Sequence, residues 1–241
     1  MKTPGSCWLQ WLFILLLIPV GLACAEMPSP MAEQDSKSVR PGINDRFLGP
    51  ELDVDKWVAT FEGESREVFS ARHEVVAQCE LQPGQRIADI GAGTGLYTRL
   101  FAEATGEEGW VYAVDISSRF LEHINQESAG NANITAVLGQ EDSVRLPPAS
   151  IDLAFLCDTY HHFEYPQASL RSIHKALAPG GSLVVIDFER IHGESREWIV
   201  DHVRAGKEVF REEIEAAGFE FVDEKQIAGF RENYFLKFRK K

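Results

Sequence analysis

The sequence predicts an α/β domain: one seven-stranded, mainly parallel sheet with an antiparallel last strand and helices on both faces. Three observations predict it. From residue 86 onward, short β-prone runs alternate with apolar residues at helical spacing, as in parallel strands joined by right-handed crossovers. The fourth run, Ile151–Leu156, is apolar enough to be buried on both faces. The last two runs, Phe219–Ile227 and Asn233–Arg239, are joined by a loop too short for a crossover, so they pair antiparallel.

Val54–Thr60 and Glu64–Glu80 read as helices that pack over one end of the sheet. Arg86–Ile90 is the first strand and ends in a glycine loop. Leu96, Tyr97, Leu100, Phe101 and Ala104 then recur at helical spacing. Trp110–Val114 is the second strand, with Phe120, Leu121 and Ile124 marking its helix, and Ile134–Leu138 is the third. Pro166 opens a helix through Leu170, Ile173 and Leu177, which Pro179-Gly180-Gly181 stops before the fifth strand, Ser182–Ile186. Glu194–Ala217 is helical with an interruption near Gly206, and Gly218 ends it.

The chain has 241 residues and a net charge of -13. The length suits one domain with extensions, and the acidity argues against sequence-independent nucleic-acid binding, which needs basic surface. Residues 1–25 stand apart. Lys2, an apolar run from Trp8 to Ile18 broken only by Gln10, the breakers Pro19 and Gly21, and Ala23-Cys24-Ala25 form the layout of an export signal. Cleavage after Ala25 fits an A-x-A site; cleavage before Cys24 would leave a lipidated cysteine. The alternative is an uncleaved membrane anchor with the domain facing the cytoplasm, since Cys7 to Ala25 is just long enough to span. Residues 26–45, rich in Pro, Ser and charge, read as a flexible tether to a domain over 46–241. Cys79 and Cys157 read as buried free thiols, without zinc-site spacing.

The first strand runs into Asp89-Ile90-Gly91-Ala92-Gly93-Thr94-Gly95 and then a helix. Closely spaced glycines let a ligand touch backbone, and this loop lies at the carboxyl end of a parallel strand, where ligands bind. Leu96 stands where a dinucleotide fingerprint wants its third glycine, and no Gly-Lys-Ser/Thr phosphate loop follows. Asp115 ends the second strand, where a carboxylate can accept from both ribose hydroxyls. The pattern D-x-G-x-G-x-G resembles motif I of the class I S-adenosylmethionine (SAM)-dependent methyltransferases. Leu177-Ala178-Pro179-Gly180-Gly181-Ser182-Leu183 resembles the turn before the fifth strand in their small-molecule branch. The resemblance covers roughly residues 47–241. It implies a Rossmann-like fold, SAM as cofactor and methyl transfer to a small-molecule acceptor. It places Gly91, Gly93 and Gly95 beside the cofactor, Asp89 at its methionine end and Asp115 on its ribose. Asp142, or as second choice Glu141, would meet the adenine amino group. An exported, non-catalytic SAM- or nucleoside-binding protein on the same fold is the alternative; Leu96 disfavours an oxidoreductase.

Chemistry is expected in the loop after the fourth strand, Cys157-Asp158-Thr159-Tyr160-His161-His162-Phe163. Asp158, His161 and His162 are the catalytic candidates, because an imidazole titrates near neutrality and suits a general base. Contact with the cofactor, for Asp158 above all, or shaping of the pocket is the other role open to them. Asp187, Glu189 and His192 follow the fifth strand and face the same sheet edge. Together with His161 and His162 they lack any compact metal spacing, so no metal is expected and salt bridges to Arg190 or Arg196 are the plainer account. Glu62 and Arg66, four apart, are expected to pair on a helix surface. Trp57 and Phe61 share that spacing and read as packing, or as lining an acceptor site, as do Trp198, His202 and Arg204.

Overall fold

The computed structural model describes Met1 and residues 37–241; the rest of the signal or anchor, and the tether as far as residue 36, lie outside the described residues. The strands are β1 (Arg86–Ile90), β2 (Trp110–Asp115), β3 (Ile134–Leu138), β4 (Ile151–Cys157), β5 (Leu177–Phe188), β6 (Phe219–Lys225) and β7 (Asn233–Lys240). They form one sheet in the order β3-β2-β1-β4-β5-β7-β6. The first five are parallel, and β7 runs antiparallel to both β5 and β6. The expected sheet with its reversed last strand is therefore observed.

Period-two alternation divides the core into two layers. Ile87, Leu153, Phe155, Val184 and Ile186 face one side of the sheet, packed on Tyr97 and Phe101 of α5 (Leu96–Thr105) and on Val68 and Val75. Ala88, Ile90, Ala154, Leu156, Leu183 and Val185 face the other, packed on α7 (Pro166–Ala176) and α9 (Lys207–Ala216). Helices on both faces follow from the unbroken apolar runs 153–156 of β4 and 183–186 of β5, which are buried on both sides. α6 (Ser118–Glu127), after β2, packs Leu121 and Ile124 on Ala113, and α8 (Glu197–His202), after β5, buries Ile199 in the second layer. No helix among the described residues is long and apolar enough to cross a membrane.

Three segments depart from expectation. The helix read over Glu64–Glu80 is two short ones, α3 (Glu67–Ser70) and α4 (Arg72–Gln78). Glu67 Oε2 accepts the backbone N–H groups of Arg231, Glu232 and Asn233 at 2.9, 2.9 and 3.3 Å, which ties α3 to the entry of β7 and sets it off from α4. Leu177 leaves the helix and already pairs with Ile151, so β5 begins before Pro179-Gly180-Gly181 and carries that turn as a bulge. Residues 37–45 are docked. The Val39 N–H donates to Glu164 O at 2.8 Å, Ser38 Oγ donates to Glu164 Oε2 at 2.5 Å, and Asn44 is buried. They lead into α1 (Asp45–Leu48) and α2 (Val54–Phe61), which cover the carboxyl end of the sheet.

That end is a topological switch. From β1 the chain winds outward through β2 and β3, then returns to β4 on the other side, so the loops after β1 and β4 diverge around a crevice. The two loops nearly touch. Gly91 has φ +70°, and a Cβ there would lie 2.3 Å from Thr159 Cγ2 and 2.5 Å from its Oγ1. Gly93 has φ +53°, but the atom nearest its virtual Cβ is on the Phe61 ring at 3.6 Å. Gly91→Ala therefore combines a strained backbone with overlap and should lose about 2–4 kcal/mol, against about 1–2 kcal/mol for the strain alone in Gly93→Ala. Urea unfolding measures both; equal losses would contradict the close approach.

Candidate active site

The crevice holds a cavity of ≈ 530 Å³, a size common for small-molecule sites. Its floor is the glycine loop. The N–H groups of Gly91 and Ala92 both donate to Val114 O, at 2.8 and 3.1 Å, which draws the loop onto the end of β2. Asp115 then locks it: Gly93 N–H donates to Oδ2 at 2.9 Å and Ser117 N–H to Oδ1 at 2.8 Å. Burial raises the Asp115 carboxyl above the usual range, against the pull of those backbone donors. Asp89 lies deeper, 3 % exposed, and accepts from Thr98 Oγ1 at 2.6 Å. A neutral hydroxyl offsets little of the desolvation, so burial pushes its carboxyl up to about 7. Gly91, Gly93, Asp89 and Asp115 all line the cavity. Gly95 is not among the lining residues: its φ of +81° starts α5, and a Cβ there would lie 2.8 Å from Ile124 Cγ1. Of the two carboxylates after β3, Glu141 lines the cavity, whereas Asp142, the first choice from sequence, is not among its lining residues.

The roof comes from the N-terminal segment. Phe47, Trp57, Phe61 and Phe120 make a chain of ring contacts with centroids 4.9 to 6.2 Å apart. Trp57 and Phe61 thus both pack and line the cavity. Glu62 does not pair with Arg66. It accepts from Thr94 Oγ1 at 2.8 Å and from Arg99, both oxygens at 3.0 Å, so the end of α2 is clamped to the glycine loop. Arg66 turns the other way and forms an ion pair with Asp158. Asn233 Nδ2 donates to the second Asp158 oxygen at 2.7 Å. Asp158 has φ +50°, a conformation that costs a non-glycine residue energy and is held here by both bonds. Burial raises its carboxyl to about 6, with the Arg66 guanidinium opposing. With both oxygens engaged, Asp158 joins the loop after β4 to α3 and β7, rather than standing free as a base.

The third wall is a set of imidazoles. Asp187, at the end of β5, accepts from the His161 and Phe188 backbone N–H groups at 3.0 and 2.8 Å. Its Oδ1 meets His161 Nδ1 at 2.7 Å, fixing the ring. His162 Nδ1 lies 3.1 Å from Asn44 Oδ1, and Asn44 Nδ2 donates to His162 O at 3.1 Å. That second bond sets the amide, so Nδ1 carries the proton and Nε2 the lone pair. His202, at the end of α8, places its Nε2 3.3 Å from His162 Nε2. Burial first, then the neighbouring imidazoles and Arg46 and Arg40, holds His162 far below the usual range and brings His202 down to about 4. Both are neutral at physiological pH.

The structure thus brings His161, His162 and Asp187 together as the sequence suggested, but not Glu189 or His192. Glu189 binds Lys207, and exposed His192 sits beside Arg190. Arg196 pairs with Glu232, and Arg204 with Glu213, away from the cavity lining. Asn44 was missed because it falls in a stretch that reads as tether. Cys157 lines the cavity and is half-buried, not fully enclosed like Cys79; burial raises both thiols.

Comparison with known proteins agrees with this geometry. Residues 88–185, from β1 to β5, match the model of the methyltransferase domain family. The ubiquinone/menaquinone biosynthesis C-methyltransferase UbiE of Neisseria gonorrhoeae is 28% identical over 123 residues, 50% of this chain and 50% of that one. The chain therefore spans about half the length of the curated relatives it matches. Among solved structures, a SAM-dependent methyltransferase from Aquifex aeolicus superposes with TM-score 0.68 at 20% identity, covering 78% of this chain and 99% of that one. The cyclase SpnF superposes with TM-score 0.60 at 19% identity, over 70% of this chain and 80% of that one. Residues 88–185 match a methyltransferase domain, and the sheet that carries them has the fold of the class I SAM-dependent methyltransferases.

Proposed function

We propose that the protein is a SAM-dependent methyltransferase acting on a small-molecule acceptor. The observation that carries this reading is the cavity that Asp89, Gly91, Gly93 and Asp115 share with the imidazoles of the loop after β4. Each part of SAM has a complement. Asp115 lines the cavity with lone pairs left for ribose hydroxyls beyond its two backbone donors. Glycines 91 and 93 present bare backbone, so the nucleoside can lie against them. Asp89 is a buried carboxylate held by a neutral hydroxyl, and the cationic methionine end supplies the positive charge its burial calls for. Glu141 is the carboxylate in reach of the adenine edge. The aromatic roof and the clamp through Glu62 exclude water.

Transfer from a sulfonium is an in-line displacement in which the cofactor brings its own leaving group. The protein contributes position and activation of the acceptor. The space between the glycine loop and His161, His162 and His202 is where an acceptor atom faces the methyl group. These imidazoles are the activating groups of the site, and Asp158, tied to Arg66 and Asn233, holds the loop that carries two of them. The signal-like pattern over residues 1–25 supports a domain exported to the periplasm or tethered to a membrane. Protease treatment of cells with the outer envelope opened and the inner membrane intact tests that: digestion is expected, and protection, as for a domain facing the cytoplasm, would overturn export.

SAM should bind the purified protein in isothermal titration, and NAD should not. Asp115→Asn keeps the side-chain shape but loses the charged acceptor, and should weaken SAM by roughly 10- to 100-fold, about 1.4–2.8 kcal/mol. Equal binding of NAD, or no effect of Asp115→Asn, would refute the cofactor assignment.

The Asp89 carboxyl, raised to about 7, gives SAM binding a pH dependence. Below that pH the free protein holds a proton on Asp89, and a cationic ligand must displace it. Affinity should therefore rise by up to about tenfold per pH unit as pH climbs towards 7, level off above, and be accompanied by proton release. Titrations in two buffers of different ionisation enthalpy measure the release. Affinity that is flat from about pH 5.5 to 8 would contradict the role of Asp89.

A further inference from the structure

We propose that His161, His162 and His202 form a binding site for one divalent transition-metal ion, with Zn²⁺ the best match, at the acceptor end of the cavity. One ring nitrogen from each of the three lies within 4.8 Å of the other two. The His162 Nε2 to His202 Nε2 distance is 3.3 Å. Two imidazole nitrogens bound to one tetrahedral zinc, at about 2.0–2.1 Å each, stand about 3.3 Å apart. That pair already has the spacing of a tetrahedral edge, and His161 offers its ligand nitrogen within 4.8 Å of both.

The surroundings are those of a metal site. A ligating histidine usually gives its second nitrogen to a carboxylate or carbonyl, which fixes the ring and aims the free lone pair. His161 gives Nδ1 to Asp187, a carboxylate with 0 % exposure, and His162 gives Nδ1 to Asn44 Oδ1. Both retain Nε2 for an ion. Without an ion, the two Nε2 atoms are joined by a single hydrogen bond at 3.3 Å, which an ion bound by both rings would replace. The cationic groups nearby are Arg40 and Arg46, and Arg46 Nη2 lies 3.4 Å from His202 Nε2. Arg46 is exposed and also rests on the Phe47 and Trp57 rings, so it keeps partners and solvent contact when an ion takes its place at His202. The ligands come from two distant segments, 161–162 and 202, which is why no compact motif announces them.

Three protein nitrogens leave the fourth position open, as in catalytic rather than structural zinc sites. His161, His162 and His202 all line the cavity, so that position faces the acceptor space. On the methyltransferase reading, on which this use of the ion rests, an acceptor hydroxyl in that position loses its proton to solvent. Its oxygen then bonds the methyl carbon, while the carbon–sulfur bond breaks and its electron pair stays on sulfur, giving S-adenosylhomocysteine.

The test is Zn²⁺ titration of the full, tag-free protein after chelator dialysis, with competition against a chromophoric chelator. Wild type should take one Zn²⁺ per chain, and Co²⁺ in its place should show the intense visible bands of four-coordinate geometry. His202→Gln and His162→Gln should each weaken binding by roughly 100-fold or more, and Asp187→Asn by roughly 10- to 100-fold. His73→Gln, on an exposed helix position, should change nothing. His202 is half-buried at a helix end, so His202→Gln is the variant expected to stay folded, checked by its near-UV circular dichroism. Zn²⁺ bound equally well by wild type and folded His202→Gln, or octahedral Co²⁺, would overturn the site. SAM titrated into the same samples separates the two claims: SAM binding without Zn²⁺ binding overturns only the metal, and Zn²⁺ binding without SAM binding overturns only the cofactor.

Discussion

The near contact of Gly91 with Thr159 is the constraint on which the site depends. Only a residue without a side chain lets the loop after β1 lie this close to the loop after β4. Because the two loops meet, the glycine floor and the imidazole wall belong to one cavity. The sheet order makes the meeting possible, since β1 and β4 are neighbours at the point where the winding reverses. Everything else in the site is arranged around it. Asp115 holds the floor down by its two backbone bonds, and Asp158 holds the wall through Arg66 and Asn233.

The N-terminal segment completes what the sheet begins. Five parallel strands and a hairpin leave the carboxyl edge open to water. Residues 37–62 close it, through Glu164, the aromatic row and the Glu62 clamp on Thr94 and Arg99. The roof is thus held by one row of aromatic contacts and a few charged and polar pins. Its contacts are separate from the two core layers, which pack without it. It also raises the strength of each electrostatic contact beneath it by excluding solvent.

Local features were legible in the sequence and assembled ones were not. The glycine loop, Asp115 and the strand–helix alternation are contiguous or periodic, so chain order alone exposes them. The reversed β7 followed from a loop too short to cross over. The imidazole wall joins segments 118 and 40 residues apart, with Asn44 before the sheet and His202 after it. Spacing rules cannot see such a set, and for that reason His192, near Asp187 in sequence, is grouped with His161 and His162, whereas His202 reads only as a lining residue. Glu62 and Arg66 show the same limit: helical spacing suggested a surface pair, but each found a stronger partner on a loop brought close by the fold. The order of Glu141 and Asp142 depended on which side chain faces the cavity, a matter of one residue in a tight turn closed by Gln140 and Ser143.

The central claim is that one cavity seats the methyl donor on the glycine loop and turns its sulfur towards the imidazoles. A crystal structure of the protein with S-adenosylhomocysteine tests it most directly. The ribose hydroxyls should lie on Asp115, the amino group on the Asp89 side and the sulfur facing His161, His162 and His202. A nucleoside bound elsewhere, or seated with its sulfur turned away from those rings, would contradict it.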